Sequence, residues 1–113
     1  MSNTFIAAAT RRRSQYALGK SLPLSQADTT ALIQEAVRQA PSSFNSQSSR
    51  AVILFGDQSL KFWGFVEDAL RKIVPADGFA DTKAKLDSFA AGAGTVLFYE
   101  DTATVQALQE KFP

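Results

Sequence analysis

The chain has 113 residues, 45% of them apolar and 20% charged, which is one domain's length and a folding composition. Twelve Lys and Arg against eleven Asp and Glu leave a net charge of +1, so this is no polycation made to coat nucleic acid or anionic lipid. Cysteine and histidine are both absent, which removes disulfide frameworks, Cys/His zinc sites, Ser-His-Asp triads and histidine acid–base catalysis, and leaves chemistry to Asp, Glu, Lys, Arg, Tyr, the backbone or a cofactor.

The first residues lack the pattern of a secretory leader, because the charges at Arg11–Arg13 follow a short apolar run instead of leading it. No stretch has the length of a membrane span. Together with the missing cysteines this points to a reducing cytoplasm and to no membrane partner. A short helix is expected first, capped by Ser2 or Asn3, with Phe5, Ile6 and Ala9 on one edge. A connector with Gly19 and Pro23 follows. A second helix starts after a Ser25 cap and carries Leu32, Ile33, Ala36, Val37 and Ala40 at helical spacing until Pro41 stops it.

The segment 41–50 is serine-rich and aperiodic, a loop. The run Ala51–Phe55 ending at Gly56 reads as a strand covered on both faces, of the kind found in parallel sheets. A third helix is expected over Ser59–Val74, with Leu60, Trp63, Val66, Leu70 and Ile73 buried. Turn residues Pro75–Gly78 lead to a helix over Thr82–Ala90, with Leu86 and Phe89 facing in. Gly92 and Gly94 precede a second strand, Thr95–Tyr99, and Asp101 or Thr102 caps a last helix bearing Val105, Leu108 and Phe112. The order is α-α-β-α-α-β-α, an α/β class of two or three layers. Two strands make a poor sheet on their own, so the inventory is short of strands. The whole of 1–113 reads as a portion of a single domain.

Three features bear on function. Arg11–Arg13 followed by Ser14 reads first as charge complementing a helix C-terminus and its free carbonyls, and second as a phosphate clamp of guanidiniums and a hydroxyl. A nucleic-acid arm is a weaker option, with no supporting basic stripe. The loop Pro41–Gln47 offers uncharged donors suited to heteroaromatic edges and sugar hydroxyls, or is simply solvated linker; Phe44 within it argues for packing against something. Gly92-Ala-Gly94 is not a dinucleotide fingerprint, because its glycines precede a strand and the third position is Leu97. Glu67 and Asp68, and Glu100 and Asp101, read as outward-facing or capping carboxylates and not as an acid/base pair.

The segments Arg12-Arg13-Ser14-Gln15-Tyr16, Pro41-Ser42-Ser43-Phe44-Asn45-Ser46-Gln47 and Gly92–Asp101, in this order, resemble the nitroreductase family of FMN enzymes, in particular the subgroup of the fungal fatty-acid-repression-mutant and bacterial copper-induced members. The likeness runs over nearly all of the chain and covers the front part of the family's fold. It implies an α/β nitroreductase-like sheet completed by a later segment or a partner chain, and a homodimer with FMN at its interface. It also implies ping-pong reduction of nitroaromatics or quinones with NADH or NADPH, without a protein nucleophile. By the same resemblance Arg12, Arg13 and Ser14 grip phosphate and ribityl, and Ser42, Ser43 and Asn45 face the flavin from the other subunit. Pro41 and Gln47 support that loop, while Tyr16 stands where many members have a basic residue. The family's later phosphate contacts fall outside this sequence. A non-catalytic α/β interaction module is the competing class.

Overall fold

The structure is a computed structural model and describes residues 3–113. Helix α1 (Thr4–Arg11) is capped by Asn3, whose Oδ1 accepts from the Ile6 N–H at 3.0 Å; the alternative cap, Ser2, lies outside the described residues. Helix α2 (Gln26–Gln39) follows a long connector and is capped by Ser25, whose Oγ accepts from the Asp28 N–H. A one-turn 3-10 segment (Ser43–Asn45) leads to strand β1 (Ser49–Phe55), which passes directly into α3 (Gly56–Arg71). Another 3-10 turn (Ala76–Gly78), α4 (Phe79–Ala90), β2 (Gly94–Glu100) and α5 (Thr102–Lys111) complete the chain.

The two strands pair antiparallel, from Ser49 opposite Glu100 to Phe55 opposite Gly94. This corrects the parallel-type strand expected from the apolar run. Opposite residues share a face, so Ala51, Ile53, Val96 and Phe98 lie on one side and Val52, Leu54, Leu97 and Thr95 on the other. Helix α3 stands on the second side: Thr95 Oγ1 accepts from the Trp63 indole N–H at 2.9 Å and shares a 2.7 Å hydrogen bond with the buried Ser59 hydroxyl. Helix α2 stands on the first side, bringing Ile33 and Val37 toward Val96 and Phe98 around an open apolar groove. Both faces are thus only partly covered, and Val52 and Phe98 remain 39% and 69% exposed.

Helix α3 begins at Gly56 and not at Ser59, because Ser59 serves as a buried partner of Thr95 instead of as a cap. Its far end stops at Arg71, so Ile73 leaves the helix and is exposed, and Leu60 faces outward as well. Helix α4 likewise starts earlier than its Thr82 signal, since the 3-10 turn at Ala76–Gly78 already winds the chain. Among the described residues only Phe79 and Leu86 are apolar and buried. Phe5, Ile6, Leu32 and Phe89, expected on buried edges, are exposed. The radius of gyration is 18.0 Å, against about 13 Å for a close-packed chain of this size. These elements carry core-facing surface that they do not cover among themselves.

Polar ties hold the arrangement. Lys20 Nζ donates to the carbonyls of Ala90 and Gly92 at 2.6 and 3.0 Å, fastening the α1–α2 connector to the end of α4. Glu67 joins Arg71 and Lys83 between α3 and α4, and the Arg71 guanidinium lies 4.2 Å from the Phe79 ring centroid. At Gly94 the strands approach so closely that a Cβ would sit 2.6 Å from the Leu54 carbonyl oxygen. Gly94→Ala must therefore push β1 and β2 apart, at a cost of about 1–3 kcal/mol. Urea unfolding followed by Trp63 fluorescence checks this, and an unchanged midpoint would contradict the close approach.

Candidate functional site

The basic cluster sits where α1 ends. Arg12 leaves the helix with an extended backbone, and Arg11–Tyr16 are all exposed. Arg13 Nη1 donates to the carbonyls of Thr10 and Arg12, each at 2.8 Å, so this guanidinium does complement the helix end. Arg12 Nη1 donates to Ser14 Oγ at 3.4 Å, which sets a guanidinium beside a hydroxyl as a phosphate clamp requires. Tyr16 is 81% exposed. Among the described residues no hydrogen bond joins this cluster to the 41–47 loop.

The loop itself is unusually constrained. Ala40 is extended (ψ 131°), as a residue before proline must be, and α2 stops there. Ser42 then stitches the turn from inside: its carbonyl accepts from the Asn45 N–H at 3.0 Å and its hydroxyl from the Gln47 N–H at 2.9 Å. Phe44, Asn45 and Gln47 have φ of 55°, 52° and 52°, in the left-handed region. Asparagine tolerates this; for phenylalanine and glutamine it costs about 1–2 kcal/mol each. Such clustered strain persists only where neighbours over-determine it, and it favours ligand clamps.

The neighbours are identifiable. The Phe44 ring stacks on Phe112 with centroids 4.4 Å apart and planes 14° from parallel, so the loop aromatic does pack against something. Arg50 Nη1 donates to the Gln47 carbonyl at 2.8 Å. Ser48 is buried; its hydroxyl donates to Glu100 Oε2 at 2.5 Å and its carbonyl accepts from the Asp101 N–H at 2.8 Å. Ser49 Oγ donates to Glu100 Oε1 at 2.9 Å. Asp101 accepts from the Thr104 hydroxyl and lies 3.7 Å from Arg50 Nη2. The Ser48 hydroxyl first, then Ser49 and Arg50, hold the Glu100 carboxyl below the usual glutamate range. Thr104 and then Arg50 do the same for Asp101.

Pro41, Ser42 and Gln47 converge with Arg38, Ser49 and Phe98 on a groove of about 370 Å³. Ser43 and Asn45 lie on the exposed part of the loop. The expected site residues thus fall into two groups, 12–16 and 41–47, and Pro41, Ser42 and Gln47 of the second line a groove. Among the described residues no group of three or more Asp and Glu is placed to hold a metal ion, and no helix is long and apolar enough to cross a membrane.

The sequence matches the nitroreductase family over residues 9–112. This chain belongs to the nitroreductase family. It is 33% identical over 112 residues to the putative nitroreductase HBN1 of Saccharomyces cerevisiae, covering 97% of this chain and 55% of that protein. The fold superposes on nitroreductase CinD from Lactococcus lactis with a TM-score of 0.77 in its complex with chloramphenicol and 0.72 in that with 4-nitrophenol. Sequence identity is 42% in both, over 96% of this chain and 53% of CinD. A nitroreductase from S. cerevisiae superposes at 0.80 with 31% identity, over 97% of this chain and 60% of that one. The chain spans a little over half the length of the relatives it matches. Its two-stranded sheet is an incomplete version of the nitroreductase α/β fold.

Glu100, Arg50 and Arg38 are residues that spacing alone does not single out in this nitroreductase-family chain. The sequence places Glu100 beside Asp101 as a cap, whereas the antiparallel register sets it opposite Ser49, and only that pairing brings it to the loop. The two depressed carboxyl pKa values give a signed expectation. Their stabilisation is complete above the unfolded carboxylate range, at pH above about 5, and is lost as pH falls through the lower folded values. Urea midpoints measured from pH 6 down to pH 3 should therefore fall less steeply in Glu100→Gln and Asp101→Asn than in the parent chain. Superimposable pH profiles would refute the clasp.

Proposed function

We propose that this chain forms part of an FMN-dependent, NAD(P)H-oxidising nitroreductase of the cytoplasm, working as a homodimer. The observation that carries the reading is the strained Pro41–Gln47 loop, held beside a groove and presenting uncharged hydroxyl and amide donors. FMN presents a phosphate, ribityl hydroxyls and a heteroaromatic edge, and the side chains here match each in kind. Arg12 and Ser14 are exposed and adjacent, and Arg13 can exchange its carbonyl partners for a phosphate that its planar fork fits in two-point fashion. Ser42, Ser43, Asn45 and Gln47 supply neutral donors for the ring edge, with Pro41 fixing the loop's entry and Tyr16 flanking the basic group. The resemblance to the nitroreductase family supports a site shared across two subunits, the basic group coming from one and the loop from the other.

When bound, FMN supplies two-electron transfer between NAD(P)H and an acceptor in alternating half-reactions. The protein's part is then to bind and orient. Arginines neutralise the phosphate, the left-handed loop aims its donors, and Phe98 with the α2 face lends apolar surface to the groove. CinD is solved with chloramphenicol and with 4-nitrophenol, and a nitroaromatic acceptor is accordingly proposed for this protein, with quinones as the second acceptor class.

The purified protein should be yellow or become so with added FMN, and should oxidise NADH or NADPH when a nitroaromatic is supplied. A colourless protein that neither retains FMN nor oxidises either nucleotide overturns the reading; if that protein is folded and stably bound to another, it is a non-catalytic module instead. Arg13→Ala should weaken FMN binding about tenfold or more through loss of a charged two-point contact. Fluorescence titration checks this, and equal affinity in the two proteins would remove Arg13 from the site.

A further inference from the structure

The loop's conformation has a single buried anchor. Among residues 41–49 only Ser48 is buried, and a buried hydroxyl must find a partner. That partner comes from far along the chain: Glu100, the last residue of β2, takes the Ser48 hydroxyl on one carboxylate oxygen and the Ser49 hydroxyl on the other. Hydrogen bonds to an ionised carboxylate are shorter and stronger than neutral ones. The nearby Arg50 guanidinium makes its direct contacts with the Gln47 and Ser49 carbonyls and with Asp101, and its charge adds to the attraction on the Glu100 carboxylate without displacing the two serines. Immediately before Ser48 stands Gln47, left-handed at φ 52°, and two residues earlier Asn45, likewise left-handed. Gln47 is held by Ser42 Oγ at its N–H and by Arg50 at its carbonyl, and the anchored Ser48 adds a third fixed point to a strained segment that must be over-determined.

We propose that Glu100 is the positioning residue of the 41–47 loop, its two carboxylate oxygens holding the Ser48 and Ser49 hydroxyls and thereby setting how Asn45 and Gln47 are presented to the cofactor. The inference rests on the flavoprotein reading and deepens it by adding a residue that touches neither flavin nor substrate. Glutamine at this position keeps the size and one acceptor but loses the charge and the second acceptor. It separates positioning from bulk packing.

The test compares the full-length protein with Glu100→Gln, Ser48→Ala and the double variant by three measurements: FMN titration, visible circular dichroism of the bound flavin, and amide exchange without FMN. Glu100→Gln is expected to weaken FMN roughly three- to tenfold and to change the flavin's dichroic band. It should also speed exchange at Asn45–Gln47 while leaving the β1–β2 amides at parent rates. Because Glu100 acts through Ser48, the double variant should bind FMN no worse than the weaker single one. Parent-like affinity and loop exchange in Glu100→Gln, or fully additive losses in the double variant, would overturn the assignment. A uniform rise in exchange over the ladder would show a purely structural role and overturn it too. If the parent protein itself binds no FMN, the flavoprotein reading fails, and loop exchange in the apo-protein still decides whether Glu100 holds the loop.

Discussion

The antiparallel ladder between residues 49–55 and 94–100 is the constraint on which the other parts depend. It fixes which side chains share a face, and so decides that α3 docks through Thr95 while α2 lies over Ile53 and Val96. The same register ends with Glu100 opposite Ser49, so the last rung of the sheet is also the first fixed point of the loop. Fold and site are therefore one object here. A disturbance at Gly94, at the far end of the ladder, acts on the sheet, whereas one at Glu100 acts on the loop.

Packing is the weaker partner in this chain. Two buried apolar side chains among the described residues and an expanded radius mean that hydrophobic burial does little to define the arrangement. Polar ties do more of it than is usual: Lys20 on the end of α4, the Glu67–Arg71–Lys83 cluster, the Ser59–Thr95–Trp63 group and the Glu100 clasp. The Glu67 ion pairs are open to solvent, and exposed charge pairs contribute little individually, whereas the Ser59–Thr95–Trp63 and Ser48–Glu100 bonds are part-buried. Directional hydrogen bonds supply geometry here, and the apolar faces of α2 and β2 remain available for whatever completes a nitroreductase fold.

Elements, more than contacts, were legible in the sequence. Ser25 and Pro41 bracket α2 because capping and the pre-proline restriction are local effects, and both appear as expected. Ser59 misled because a hydroxyl near a helix start looks the same whether it caps the helix or bonds to a neighbouring strand, and α4 begins earlier than Thr82 because the turn residues Pro75–Gly78 already wind the chain. The antiparallel pairing was not readable, since a short apolar run suits either sheet type and only the partner's direction distinguishes them. Of the site, the loop's membership in a motif was visible through resemblance, and Phe44 betrayed some packing contact. The clasp by Glu100 was hidden, because its partners are about half a chain away in sequence.

The three left-handed residues leave the loop a narrow chemical alphabet. A β-branched side chain at 44, 45 or 47 would crowd its own backbone, which excludes valine, isoleucine and threonine from positions that face solvent and would otherwise accept almost anything. Glycine would relieve the strain, yet it would also free the unfolded segment and enlarge the entropy lost on folding. Phe44 and Gln47 lie between these limits, strained when folded but with less freedom to surrender, while Asn45 takes the conformation at little cost. The segment thus presents its donors on a surface whose shape the chain itself has already set.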